Sequence, residues 1–170
     1  MRCKWYALFV MSGEEERVKE RLQYKLSNTG LRILVPKRKM RERKDGKWDC
    51  KIRILFPGYV LLNGNLGTDE YYGMKGTPGV IRLLGDKNGP TEIEENEISV
   101  IGRLITDNDI IGISDVFVEN GSIIVVDGPL LGMDGIIETI DKRKGRVKVR
   151  LNFIGEQRLV ELSVNMLQPA

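Results

Sequence analysis

Histidine is absent from this 170-residue chain, cysteine occurs twice, and aromatic residues make up only 6% of it. Losing histidine removes the commonest general base and the usual partner of Ser and Cys nucleophiles. Cys3 and Cys50 have no C-x-x-C partner, so neither a zinc site nor a disulfide framework is expected, and lone thiols fit a reducing cytoplasm. No apolar run reaches the roughly eighteen residues of a membrane span. The opening "MRCKWYALFVMSGEEER" passes into acidic, helix-like sequence without an A-x-A cleavage site, and reads as a first strand rather than a signal peptide. A P-loop, a G-x-G-x-x-G after a strand, H-E-x-x-H and G-x-S-x-G are also missing. Acid–base chemistry would have to rest on Asp, Glu, Lys or Tyr. The chain reads as a binding protein, with no enzymatic activity, metal or cofactor expected.

What is present is charge, unevenly placed. The chain holds 27 basic and 24 acidic residues. Residues 1–106 carry a net charge of +6 and residues 107–170 a net charge of −3. "PKRKMRERKDGKWDCKIR", Pro36 to Arg53, holds nine Lys or Arg against three acids. Such a run is either a solvated hairpin whose charges keep an edge strand from pairing, or a basic arm lying near a nucleic acid backbone.

Periodicity divides the chain. "KWYALFVM" predicts a buried strand, and Ser12 with Glu15 forms an S-x-x-E capping box before a helix whose Val18, Leu22 and Leu26 make an apolar stripe. "LRILVP" predicts a strand, "KDGK" a hairpin turn, and "ILFPGYVLLN" a central strand with a Pro-Gly irregularity. A short helix over "TDEYYGMK", a strand over "GVIRLLG" and a helix over Glu92–Leu104 follow. This is an α/β (α+β) pattern, a sheet with packed helices. "TDNDIIGISD" lacks periodicity and reads as a boundary, which puts one domain at 1–106, a flexible linker at 107–115 and a second domain at 116–170. In the second, "SIIVVD", "DGIIETID", "RVKVRLNF" and "RLVELS" are spaced as strands of a small all-β barrel.

Within that barrel, Lys142, Arg143, Lys144, Arg146, Lys148 and Arg150 fall in nine residues, although residues 117–170 carry equal numbers of acids and bases. On a strand Arg146, Lys148 and Arg150 share one face and leave Val147, Val149 and Leu151 for the core. The stripe is either a solubilising surface or a placed cationic face, and the partner that suits the latter is structured RNA.

The glycine pattern of Val126, Asp127, Gly128, Pro129, Gly132, Gly135, Ile136, Ile137 and Asp141 resembles a KOW motif. Before it, "KWYALFVMSGEEERV", "FPGYVLLN", "GTPGVIRLLG" and "GPTEIEENEI" stand in the order found in the NusG family of transcription elongation factors. The resemblance covers almost the whole chain. It implies a NusG amino-terminal domain joined to a KOW β-barrel, a cytoplasmic bacterial monomer with no membrane role. The first domain would dock on the clamp helices of RNA polymerase beside the non-template DNA strand. On that reading Trp5, Phe56 and Tyr59 match the polymerase-binding aromatics, core packing being the alternative for Trp5. Lys75, Thr77 and Arg82, in and after "KGTPGV", match a loop that touches the non-template strand in some relatives. In the barrel, "NFIGEQRLVEL" carries Ile154 where housekeeping members carry an aromatic that engages a ribosomal protein or Rho, with Phe153 one position earlier. That departure, with the basic stripe, is similar to the LoaP branch of antitermination paralogs, which recognise an RNA hairpin. The alternative implied is a general NusG that bridges polymerase to ribosome or Rho and modulates pausing and termination.

Overall fold

The computed structural model describes residues 4–168, so Cys3 lies outside the described residues. Along the chain run β1 (Trp5–Val10), α1 (Glu15–Lys25), β2 (Arg32–Leu34), β3 (Lys37–Lys44), β4 (Lys47–Ile54), β5 (Tyr59–Asn63) and α2 (Thr68–Lys75). Next come β6 (Val80–Leu83), the short strands β7 (Gly85–Asp86) and β8 (Gly89–Pro90), and α3 (Glu95–Leu104). The rest is β-rich: β9 (Ile105–Asp107), β10 (Ile110–Ile111), β11 (Ser114–Glu119), β12 (Ser122–Asp127), β13 (Ile137–Asp141), β14 (Arg146–Phe153) and β15 (Glu156–Met166). No helix among the described residues is long and apolar enough to cross a membrane.

Contacts divide the chain into two compact units. The first takes the chain up to Pro36 together with Phe56–Ile98, and the second takes Lys37–Leu55 together with the chain from Ser99 onward.

The first unit is built on a four-stranded sheet ordered β2-β5-β1-β6, antiparallel throughout. Its central strands bury Ala7, Leu8 and Val10 of β1 and Val60, Leu61 and Leu62 of β5. Val18 and Leu22 of α1, fully buried, and Met74 of α2 complete the core. Each Val, Leu or Met side chain so removed from water stabilises the fold by about 1.5–3 kcal/mol. The expected capping box does not form: the N-cap is Glu14 and makes no side-chain cap bond. Glu15 is instead buried, accepting from the Gly13 amide at 2.8 Å and from the Gly58 amide at 2.9 Å. A carboxylate that satisfies two loop amides at once outweighs a local cap.

The run 54–63, expected as one strand, is two. Pro57 has no N–H to donate and Gly58 sits at φ +88°, so β4 ends at Ile54 and β5 starts at Tyr59 in a different sheet.

In the second unit, β3 and β4 form a regular hairpin from Lys37↔Ile54 to Lys44↔Lys47, turning through Asp45 and Gly46, both at positive φ as a tight hairpin turn demands. Within 107–115, β10 pairs with β3 in parallel, and its Ile111 is fully buried. The barrel sheet runs β12-β11-β15-β14-β13, with β11 and β15 parallel and the other neighbours antiparallel. Gly128, in the Gly-Pro turn after β12, has φ +103°, and a Cβ there would sit 2.6 Å from Ser114 Cα. The turn is therefore a close backbone approach as well as a bend.

Candidate nucleic-acid interface

On β14 the alternation is complete. Val147, Val149, Leu151 and Phe153 are buried, while the side chains between them face outward. Asp141 closes the turn before this strand: its carbonyl accepts from the Gly145 amide at 2.9 Å and its Oδ1 from the Lys144 amide at 3.0 Å. That geometry throws Lys142, Arg143 and Lys144 into solvent, and Lys148 is exposed beyond them.

The two arginines of β14 are engaged differently. Arg146 is half-buried, its Nη1 donating to Glu161 Oε2 at 3.1 Å and its Nη2 to the Arg41 carbonyl at 3.3 Å. Arg150 pairs with Glu138 and donates to the Gly135 carbonyl at 3.4 Å. What sequence presented as one cationic stripe is thus four exposed cations and two ion-paired arginines.

A second basic element adjoins this one. In the β3–β4 hairpin, Arg38 Nη1 donates to the Glu161 carbonyl at 2.7 Å, the Arg41 amide to Ser163 Oγ at 2.9 Å, and Arg41 Nη2 to the Val164 carbonyl at 2.7 Å. The edge of β3 is therefore fastened along β15, with Met40 and Ser163 buried between them. Burial pulls the Arg38 guanidinium below its ordinary value, Glu161 opposing and Arg146 adding to the shift, though arginine stays charged. On the exposed part of the hairpin Arg53 forks onto Glu42 at 2.8 and 2.5 Å and holds that carboxyl below its usual range. Cross-strand partners share a face, which sets Lys39, Arg41 and Arg43 beside Ile52, Cys50 and Trp48. Trp48, for which sequence offered no role, is 52% exposed and borders one groove with Lys142, Arg143 and Lys144. A tryptophan inside a charged run was the available signal. The convergence of residues nearly a hundred positions apart was not visible.

In the α/β unit the expected site residues separate by burial. Phe56 is 2% exposed and belongs to the core. Trp5 and Tyr59 are half-buried, with the Tyr59 ring edge-on to Phe9 at 5.4 Å. Thr77 is 4% exposed, and its hydroxyl donates to the Gly73 carbonyl at 2.9 Å, ending α2. Its side chain therefore presents no free surface. Lys75 and Arg82 are exposed and border one small cavity of about 80 Å³ together with Tyr71 and Ile81. Tyr71 and Tyr72 are exposed aromatics on α2 that sequence reading passed over.

A mixed α/β unit and a small β-rich unit with a Gly-Pro turn make the architecture of a NusG amino-terminal domain followed by a small KOW-like β domain. The family described as "Transcription termination factor nusG" matches residues 3–102. The chain belongs to the NusG family. It is 31% identical to the transcription termination/antitermination protein NusG of Bacillus subtilis, over 98% of either chain. The corresponding protein of Rickettsia felis is 29% identical, with 97% of this chain and 89% of the relative covered. Among solved structures, one described as "Domain interaction in Thermotoga maritima NusG" superposes with a TM-score of 0.61 at 27% identity, covering 96% of this chain and 94% of that one.

Proposed function

We propose that this NusG-family chain is a specialised antitermination factor of the LoaP type, recruited through an RNA hairpin in the nascent transcript and acting on RNA polymerase without enzymatic chemistry or a cofactor. The working division is that of the sequence reading, 1–106 for polymerase, 107–115 as linker and 116–170 for RNA, with the β3–β4 hairpin of the first span packed in the compact unit that holds the barrel. Trp5 and Tyr59 contact the polymerase clamp helices, with Phe56 supporting Tyr59 from the core. Lys75 and Arg82 face the non-template DNA strand, and Thr77 shapes the loop between them. The factor works as a monomer in the bacterial cytoplasm.

The observation that carries the RNA assignment is the exposure of Lys142, Arg143, Lys144 and Lys148 on a turn and strand face whose shape the buried Val147, Val149 and Leu151 fix. Four cations spread along a turn and the strand after it suit a polyanionic backbone rather than a single ion. Arg150 lies at the end of this face, and exchanging Glu138 for a phosphate or base edge is the step that would engage it.

The pairing of Arg146 with Glu161 and of Arg150 with Glu138 favours the second reading, a general NusG that bridges polymerase to ribosome or Rho, since it removes two of the six cations from the face. The test is a gel-shift series with the transcribed leader of the neighbouring operon against a scrambled hairpin at two salt concentrations. Selective binding is expected, with a log-log salt slope of roughly 0.7 to 0.9 per phosphate contact, reduced by Lys144→Ala or Lys148→Ala. Equal binding of both RNAs returns the general reading to first place.

A further inference from the structure

The groove beside Trp48 has a volume of about 330 Å³, and its described lining residues include Arg41, Trp48, Lys142, Arg143, Lys144 and Met166 but no acid. Four cations and a flat ring converge there from two elements far apart in sequence. A neighbouring cavity of about 280 Å³, bordered by Lys144, Arg146 and Lys148, also contains Asp141 and Glu161 and has no aromatic. The two differ in what they suit. A polyanion is repelled by the carboxylates of the second and meets only positive charge in the first.

Trp48 supplies the more specific requirement. It stands on β4 opposite Arg43, on the face that also carries Arg41, and at 52% exposure leaves much of an indole in water. Arg41 is held against that face by its bond to the Val164 carbonyl, and the backbone of the lysine turn by the Asp141 and Gly145 bonds, so Arg41 and the turn that carries the other cations are in place before any ligand arrives. A ring bordered by cations matches a ligand whose flat apolar face alternates with negative charge. An unpaired nucleotide has that chemistry, whereas bases in a duplex already stack on each other and offer no free face.

We propose that this groove seats an unpaired nucleotide of RNA, its base stacked on the Trp48 indole and its phosphates set against Lys142, Arg143 and Lys144. The proposal rests on the RNA reading of the barrel and adds to it a single-strand subsite shared with the β3–β4 hairpin.

The chain contains two tryptophans, so Trp5→Phe in the full-length protein leaves Trp48 as the only indole reporter. Titration with a short oligouridylate should quench its fluorescence saturably. By anisotropy of the labelled oligonucleotide, Trp48→Ala should weaken binding about tenfold or more, while Trp48→Phe keeps most of the affinity. The double variant Lys142→Ala/Lys144→Ala should lower the salt slope by about 1 to 2. Absence of quenching, or unchanged affinity in folded Trp48→Ala, overturns the proposal. Tighter binding of the matching DNA oligonucleotide, or equal quenching by an acidic peptide, overturns the assignment to RNA. A blunt-ended RNA duplex without unpaired nucleotides separates the two readings. Its binding should survive Trp48→Ala, and its failure to bind at all counts against the barrel-face assignment while the oligouridylate result judges the groove.

Discussion

Gly128→Ala should damage the barrel far more than the loss of one glycine ordinarily would. The residue sits at φ +103°, where a side chain is strained by about 1–2 kcal/mol. The new Cβ would also lie 2.6 Å from Ser114 Cα and 2.8 Å from Ser114 Oγ, and a backbone atom cannot rotate away. Ser114 is 1% exposed, and its hydroxyl accepts the Leu130 amide at 2.9 Å, so pushing it aside abandons a buried hydrogen bond, which costs about 1–3 kcal/mol. The two effects sum to about 2–5 kcal/mol, a large share of the 5–15 kcal/mol typical of a whole domain. Gly132→Ala is the control. Its φ is +79° and nothing lies within 4 Å of the added atom, so only the backbone strain of about 1–2 kcal/mol applies. Urea unfolding of the full chain, followed by NMR at the amides of Val147 and Val149, reads the barrel separately. A difference between the two variants below about 1 kcal/mol would refute the close-approach argument.

Ile154 occupies φ +53° in the β14–β15 turn, a conformation that β-branched residues resist, so Ile154→Asn should raise barrel stability by about 1 kcal/mol in the same urea assay. Glu42 should titrate below the usual carboxylate range in an NMR pH series, and Arg53→Ala should bring it back up. Because the folded value is the depressed one, the pair's contribution is complete above the unfolded carboxylate value and fades as pH falls through the folded one. Being exposed, the pair should contribute little to the melting midpoint. Tyr59→Ala should weaken capture of RNA polymerase by about 1–3 kcal/mol with the fold intact, whereas Phe56→Ala should lose about 3–5 kcal/mol of stability. A pull-down alongside a urea melt tells the two apart.

The features legible in sequence were those governed by neighbours in the chain. The alternation of Val147, Val149 and Leu151 with Arg146, Lys148 and Arg150, the Asp45-Gly46 turn and the Val18–Leu22 stripe each depend on local spacing. Glu15 was misread because its partner, the Gly58 amide, lies 43 positions away, and a local capping rule cannot see a distant donor. Phe56 and Tyr59 looked equivalent on either side of Pro57-Gly58, yet the break turns one into the core and leaves the other at its edge. The strand β11 went uncounted because its start, Ser114 and Asp115, fell in the stretch read as linker, and the parallel partner that orders that start, the end of β15, is some fifty residues on. The candidate interface suffered most from this blindness. Six cations were visible as a cluster, but the glutamates that engage two of them and the tryptophan that joins three others arrive from separate elements.

β15 is where these distant partners meet. Its first eight residues pair with β14, its last three with β11, and between Glu161 and Val164 it accepts the edge of β3. Those acceptors lie 122 or 123 positions after their donors. During synthesis at about 5–20 residues per second, the β3–β4 hairpin is therefore complete many seconds before the strand it docks on has been made. Closing so large a loop also adds entropy that the local β14–β15 hairpin does not face, which places docking late in folding. Throughout that wait an open strand edge is exposed to other chains. Nine Lys or Arg between Pro36 and Arg53 make that edge self-repelling, so charge that the finished protein carries on its surface also guards the unfinished one against aggregation.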